Sequence, residues 1–137
     1  LLVNQNKKAD TIKVINTTQA AEARERYSQA ISSNGLLFIS GQLPVSNDGA
    51  HNYDKPFEEQ TNLVLANLDA ILQAGKSSRS NLLKVTVYIT DLSNWELFNR
   101  IYSAFLGHHK PARAVVPVLE LHHGYQLEIE AIAKINE

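Results

Sequence analysis

Two residues, Asn34 and Gly35, constrain the fold of this chain more than any others. They stand between two runs that read as strands, Tyr27 to Ser33 and Leu36 to Gly41. Asn-Gly supplies the two positive φ angles of a two-residue hairpin turn, whose twist matches that of the strands it joins. An antiparallel hairpin here commits the chain to a sheet. The remaining segments are then read as what pairs with that sheet and what covers it.

Upstream, Thr11 to Ile15 alternates polar and apolar side chains, the period of a half-buried strand, and a polar connector runs from Asn16 to Arg26. Residues 1–10 are polar and aperiodic and read as a flexible leader to a single domain over 11–137. Pro44 to Lys55 is rich in Pro, Asn, Asp and Gly and reads as a surface loop. Pro56 suits a helix start, Glu58 and Glu59 suit its dipole, and Phe57, Thr61, Val64, Leu68 and Ile71 form one apolar stripe ending near Gly75. Leu82 to Thr90 is β-branched and reads as a strand. Ser93 and Glu96 have capping-box spacing, with Leu92 and Leu97 placed for the accompanying hydrophobic staple. The second helix carries Phe98, Ile101, Tyr102 and Phe105 inward and stops at Gly107.

Two further strands are expected, Ala112 to Leu119 and Gln126 to Ile135, and they are expected to pair with each other. The order β, hairpin, α, β, α, β, β predicts an α+β domain: a mixed sheet of about six strands with two helices on one face. An uncovered apolar sheet face on a small domain predicts a homo-oligomer.

Composition narrows the chemistry. A chain of 137 residues with 44% apolar and 20% charged side chains builds one packed core. Zero cysteines exclude disulfides, thiolate nucleophiles and Cys-based metal sites. Thirteen Lys and Arg against fourteen Asp and Glu give a net charge of -1, which disfavours nucleic acid, although Lys7, Lys8, Lys13, Arg24 and Arg26 could form a local basic patch. No run is long and apolar enough to be a membrane span. The chain begins at Leu1 rather than Met, which leaves room for an upstream targeting segment. Gly-rich phosphate loops, HExxH and G-x-S-x-G are absent. The five histidines, His51, His108, His109, His122 and His123, lack metal-ligand spacing and read as solvated loop residues.

Two features are chemically unusual. Arg113 heads an otherwise apolar strand; either it projects to solvent from an edge, or it is a fixed guanidinium fork awaiting a carboxylate or phosphate. Glu128 and Glu130 share one face of the last strand; either that face is solvated, or one carboxylate handles a water or a proton in a cleft.

Several stretches together carry a resemblance: Tyr27-Ser28-Gln29-Ala30, Phe38 to Pro44, Glu59-Gln60-Thr61 with Asn67-Leu68, Lys84 to Tyr88, Pro111-Ala112-Arg113, and Leu127 to Ala131. In this order and spacing the chain resembles the RidA family, also called YjgF. The resemblance implies a chorismate-mutase-like domain forming a homotrimer with clefts between subunits. It implies cofactor-free hydrolysis of reactive enamines and imines, of the 2-aminoacrylate and 2-iminobutanoate type, to 2-keto acids and ammonia. It further implies that Arg113 holds the substrate carboxylate, that Glu128 positions or activates water, and that the Val115 backbone contacts the ligand. Tyr27, Ser40, Gly41 and Asn99 would line the cleft, with Tyr27 from a neighbouring subunit. The cytoplasm is the compartment in which such substrates arise. Alternatives within the family are a keto-acid-binding module without turnover and an RNA-directed ribonuclease or translation inhibitor. The chain also departs from the family pattern: Val115 stands where many relatives have Cys, Glu25-Arg26 where Gly-Pro is usual, and His122-His123-Gly124-Tyr125 replaces a Leu-Pro-Lys-like stretch. Arg24 and Arg26 are expected to bias the cleft toward a different acid, such as a dicarboxylate.

Overall fold

The computed structural model describes residues 11–136. The leader expected over residues 1–10, with Lys7 and Lys8, lies outside the described residues. The hairpin is as the Asn-Gly pair dictates: β2 (Ala30–Ser33) and β3 (Leu36–Gln42) meet at Ser33 and Leu36 across Asn34 (φ 58) and Gly35 (φ 76). β2 begins three residues later than expected. Gln29 is the reason: its buried amide accepts from the Thr17 N–H at 2.7 Å and donates to the Thr17 and Ala21 carbonyls at 3.0 and 2.7 Å. That side chain ties down the connector, and pairing starts after it, leaving Tyr27 outside the ladder. β1 (Lys13–Ile15) pairs antiparallel with β2.

α1 (Phe57–Ala74) follows Pro56 and buries the expected stripe, Phe57, Thr61, Val64, Leu68 and Ile71. Each large apolar side chain removed from water in this way contributes about 1.5–3 kcal/mol. β4 (Leu82–Ile89) leads through a short turn into α2 (Trp95–Leu106). The capping box does not form. The Asp91 carboxylate accepts the Ser93 N–H at 2.9 Å, so a 3-10 turn over Leu92–Asn94 precedes the helix, and Ser93 is used inside that turn. Leu92 is left 55% exposed rather than stapled.

β5 (Ala112–Pro117) lies parallel to β4, and β6 (Leu127–Lys134) runs antiparallel to both β3 and β4. The sheet order is therefore β1-β2-β3-β6-β4-β5. The expected pairing of the last two strands is thus overturned: β4 lies between them. The β4-α2-β5 crossover places β5 on the outer side of β4, which leaves the inner side for the final strand.

Alternation along the strands separates two faces. Leu127, Ile129, Ala131 and Ala133 of β6, with Val85, Val87 and Ile89 of β4 and Leu37 and Ile39 of β3, are buried in the core under the two helices. The opposite face carries Phe38, Lys84, Thr86, Tyr88, Glu128, Glu130 and Ile132, all at least partly exposed. The expected six-stranded mixed sheet with two helices on one face is what the chain builds.

Candidate active site

Arg113 lies on the edge strand β5 at the register of Val85, so its side chain points to the helix side of the sheet. There its Nη1 donates to Asn99 Oδ1 at 2.8 Å, and its guanidinium carbon stands 5.0 Å from the Trp95 ring centroid and 5.1 Å from that of Tyr102. Trp95, Asn99 and Tyr102 share one face of α2 because they fall at i, i+4 and i+7. The guanidinium is exposed yet held by three side chains, each cation–π contact contributing about 0.5–1 kcal/mol at such a site. A charge fixed before a ligand arrives spends no binding energy on being ordered. Val115, two residues on, packs its side chain against the core and leaves its backbone on the same edge. A cavity of about 550 Å³ adjoins this group, lined by Asn99, Tyr102, Lys110 and Arg113 among others.

Glu128 belongs to the opposite face. It stands half-buried on β6 opposite Tyr88, two residues from Glu130, whose Oε1 accepts the Tyr88 hydroxyl at 2.7 Å. Burial first and the Glu130 charge second push the Glu128 carboxyl above its ordinary value, while His122 pulls the other way. Gly41 lies over it: a Cβ at Gly41 would fall 2.9 Å from the Glu128 carboxyl carbon. Only a residue without a side chain lets the backbone approach this carboxyl so closely. Ser40 donates its hydroxyl to the Ser28 carbonyl at 2.6 Å and so fastens β3 to the segment carrying Tyr27. Tyr27 is 52% exposed and, with Gly41, lines a cavity of about 340 Å³.

The predicted residues therefore form two groups. Tyr27, Ser40, Gly41 and Glu128 come together on one side, and Asn99, Arg113 and Val115 on the other. Arg113 and Glu128 do not meet within one chain. They are two strands and three register positions apart, roughly 10 Å in each direction by strand geometry, and their side chains leave opposite faces of the sheet.

The structure also adds residues that the sequence did not single out. Trp95, Tyr102, Tyr88 and His51 all touch the site or its supports. Trp95 and Tyr102 were legible as face-mates of Asn99; the others depend on distant pairings. His51, His108, His122 and His123 are exposed as expected, although His51 Nδ1 lies 2.6 Å from the buried Tyr125 hydroxyl; His109 is half-buried, its Nε2 2.7 Å from the Leu82 carbonyl. Arg24 lines the 340 Å³ cavity with His51, His122 and His123, whereas Arg26 is not among its lining residues.

The endoribonuclease L-PSP family model matches residues 17–135. A RutC family protein of Pyrococcus horikoshii is 39% identical over 88% of this chain and 95% of its own length. Reactive Intermediate Deaminase A, chloroplastic, of Arabidopsis thaliana is 34% identical over 89% of this chain and 65% of that protein. Among solved structures, a Rid family protein of Yersinia pestis superimposes with a TM-score of 0.88 at 38% identity, covering 91% of this chain and all of that one. The E. coli TdcF structure with bound serine superimposes with a TM-score of 0.85 at 35% identity, over 90% and 99% of the two chains. A match that spans nearly the whole sheet and both helices, with both groups of site residues inside it, identifies this chain as a member of the RidA/YjgF family.

Proposed function

We propose that this protein hydrolyses 2-imino and 2-enamino acids to 2-keto acids and ammonia, without a cofactor, in clefts between the subunits of a homotrimer. The observation that carries the reading is the state of Glu128: a half-buried carboxyl of raised proton affinity beneath a bare backbone segment at Gly41. Such a group suits proton transfer near neutral pH better than an ordinary solvated carboxylate does.

In this reading Arg113 of one subunit binds the substrate carboxylate through its planar fork, which Asn99 and Trp95 hold in place. Glu128 of a neighbouring subunit takes a proton from water as the water oxygen bonds to the imine carbon. It returns that proton to nitrogen, giving the carbinolamine, and then carries the carbinolamine hydroxyl proton to nitrogen as the C–N bond breaks, the C=O bond forms and ammonia leaves. Ser40, Gly41, Tyr27 and the Val115 backbone shape the cleft. Imines hydrolyse readily on their own, so a few kcal/mol of positioning makes a useful enzyme. We place the activity in the cytoplasm.

The test generates 2-iminobutanoate in place with a threonine dehydratase and follows 2-ketobutyrate release against a competing trap. Acceleration that disappears in Arg113→Ala supports the reading. Absence of acceleration over buffer, with 2-ketobutyrate still bound through Arg113, would replace it by a binding module without turnover. The bound serine of the E. coli TdcF structure makes that module the second reading.

A further inference from the structure

The cavity of about 340 Å³ that Tyr27 and Gly41 line is also lined by three imidazoles, which form one wall of it. His51 and His123 have ring centroids 4.5 Å apart, and His122 and His123 have theirs 3.9 Å apart. The first pair is tilted by 55° and the second meets edge-on at 69°, and among the described residues no three His, Asp or Glu side chains are grouped to hold a metal.

The wall is built rather than loosely tethered. His51 is placed by its bridge to Val45, and the neighbouring Asn52 side chain donates to the Pro44 carbonyl and the Ser46 hydroxyl at 3.1 and 3.0 Å. From helix α1, Asn67 donates to the Val45 carbonyl at 2.8 Å and fixes the same loop. On the other side His123 takes φ 59, a left-handed conformation that ordinary residues seldom adopt, and this turn presents both histidines to the cavity.

Tyr125 is the polar partner of His51. Tyr125 is 1% exposed, and burial pushes its hydroxyl up, so it stays protonated. Its oxygen accepts the Asn52 N–H at 3.4 Å and lies 2.6 Å from His51 Nδ1. A neutral His51 that accepts the Tyr125 hydroxyl on Nδ1 carries its proton on Nε2, the opposite ring nitrogen, where it can serve as a donor. Arg24 stands at the same cavity, its Nη2 close over Gly49 and its Nε 3.4 Å from Glu22. Glu22 and Glu25 also line the cavity, and since they and Arg24 are all exposed, water screens the three charges alike. His51 and Arg24 are groups of this cavity that can offer donors to an anion.

We propose that this wall receives a second carboxylate at the end of the substrate side chain, so that the preferred ligands are 2-imino dicarboxylic acids and their 2-keto products. The reaction rests on the deaminase reading above; the recognition rests on His51 and Arg24 alone. The test is a calorimetric titration of the full protein with 2-oxoglutarate and with 2-oxohexanoate, which have side chains of similar length with and without the second carboxylate. One charge-assisted hydrogen bond predicts about tenfold tighter binding of 2-oxoglutarate. His51→Asn keeps an acceptor for the Tyr125 hydroxyl and removes the outward donor; Arg24→Ala removes an exposed side chain and leaves the fold intact. Each is expected to lower the preference at least threefold. Equal affinities in the natural protein, or a preference unchanged in both variants, would overturn the proposal. A preference that both variants erode, in a protein that turns over no imine, would uphold the pocket and remove the deaminase reading instead.

Discussion

Gly41→Ala separates the chemistry at Glu128 from the stability of the strand that covers it. The new Cβ would lie 2.9 Å from the Glu128 carboxyl carbon and 3.3 Å from its Cγ. Carbon atoms rest at about 3.5–4.0 Å, so the carboxyl must retreat by roughly 1 Å. What moves is the far end of a flexible side chain, and Gly41 does not sit at a positive φ, so the backbone accepts alanine without strain. The fold is expected to keep its Tm within about 3 °C. Catalysis is expected to respond differently, because a misplacement of about 1 Å in a reacting group costs on the order of 100-fold, or about 2.7 kcal/mol of barrier. The assay is kcat/KM for 2-iminobutanoate hydrolysis beside a thermal melt. A rate within threefold of the natural protein, at unchanged Tm, would refute the placement of Glu128 in the reaction. A large fall in Tm would refute the claim that its side chain can yield.

Three further substitutions test the same geometry. Glu128→Gln should lower kcat by about 10²–10⁴-fold, the range for removal of a general acid–base group. The same variant should be more stable than the natural protein at neutral pH, in chemical denaturation. Folding raises the Glu128 proton affinity, so native stability falls as pH rises through the window above the ordinary carboxylate value; a neutral amide escapes that loss, and the two proteins should converge in acid. Glu130→Gln removes the charge that helps hold the Glu128 carboxyl up, so the acidic limb of the kcat/KM profile should move to lower pH; a limb that stays in place would show that burial alone sets it. Asn99→Ala frees the Arg113 guanidinium from its 2.8 Å anchor and should raise KM by about fivefold to tenfold with a smaller effect on kcat, read in steady-state kinetics.

What was legible in the sequence was what short-range chemistry decides. Asn34-Gly35 forces a hairpin whatever surrounds it, and the stripe from Phe57 to Ile71 can be satisfied only by a helix on a core. The order of strands was not legible, because β6 reaches the gap between β3 and β4 only after the β4-α2-β5 crossover has chosen its side. Ser93 was misread as a cap because Asp91, two residues earlier, captures its N–H first. The same distinction holds at the site. Arg113 and Glu128 stand out locally as charges in apolar strands, whereas the His51–Tyr125 contact joins residues 74 positions apart and leaves no local trace.

The arrangement of Arg113 and Glu128 bears directly on why such a chain would assemble. In a 2-imino acid the carboxylate carbon and the carbon that water attacks are one bond, about 1.5 Å, apart. A guanidinium on the first and a base delivering water to the second must have their heads within several ångströms, since each reaches its target over a hydrogen bond of about 3 Å. One chain cannot supply this, for β4 and the thickness of the sheet stand between the two side chains, and Asn99 and the α2 rings hold Arg113 to the helix side. The edge strand β5 of one copy, brought against the open face of another, would place the fork beside Glu128 and would cover Phe38, which is 43% exposed on that face. On this reading the uncovered face and the divided site are a single feature. Burying apolar surface would drive the copies together, and the same contact would complete the chemistry.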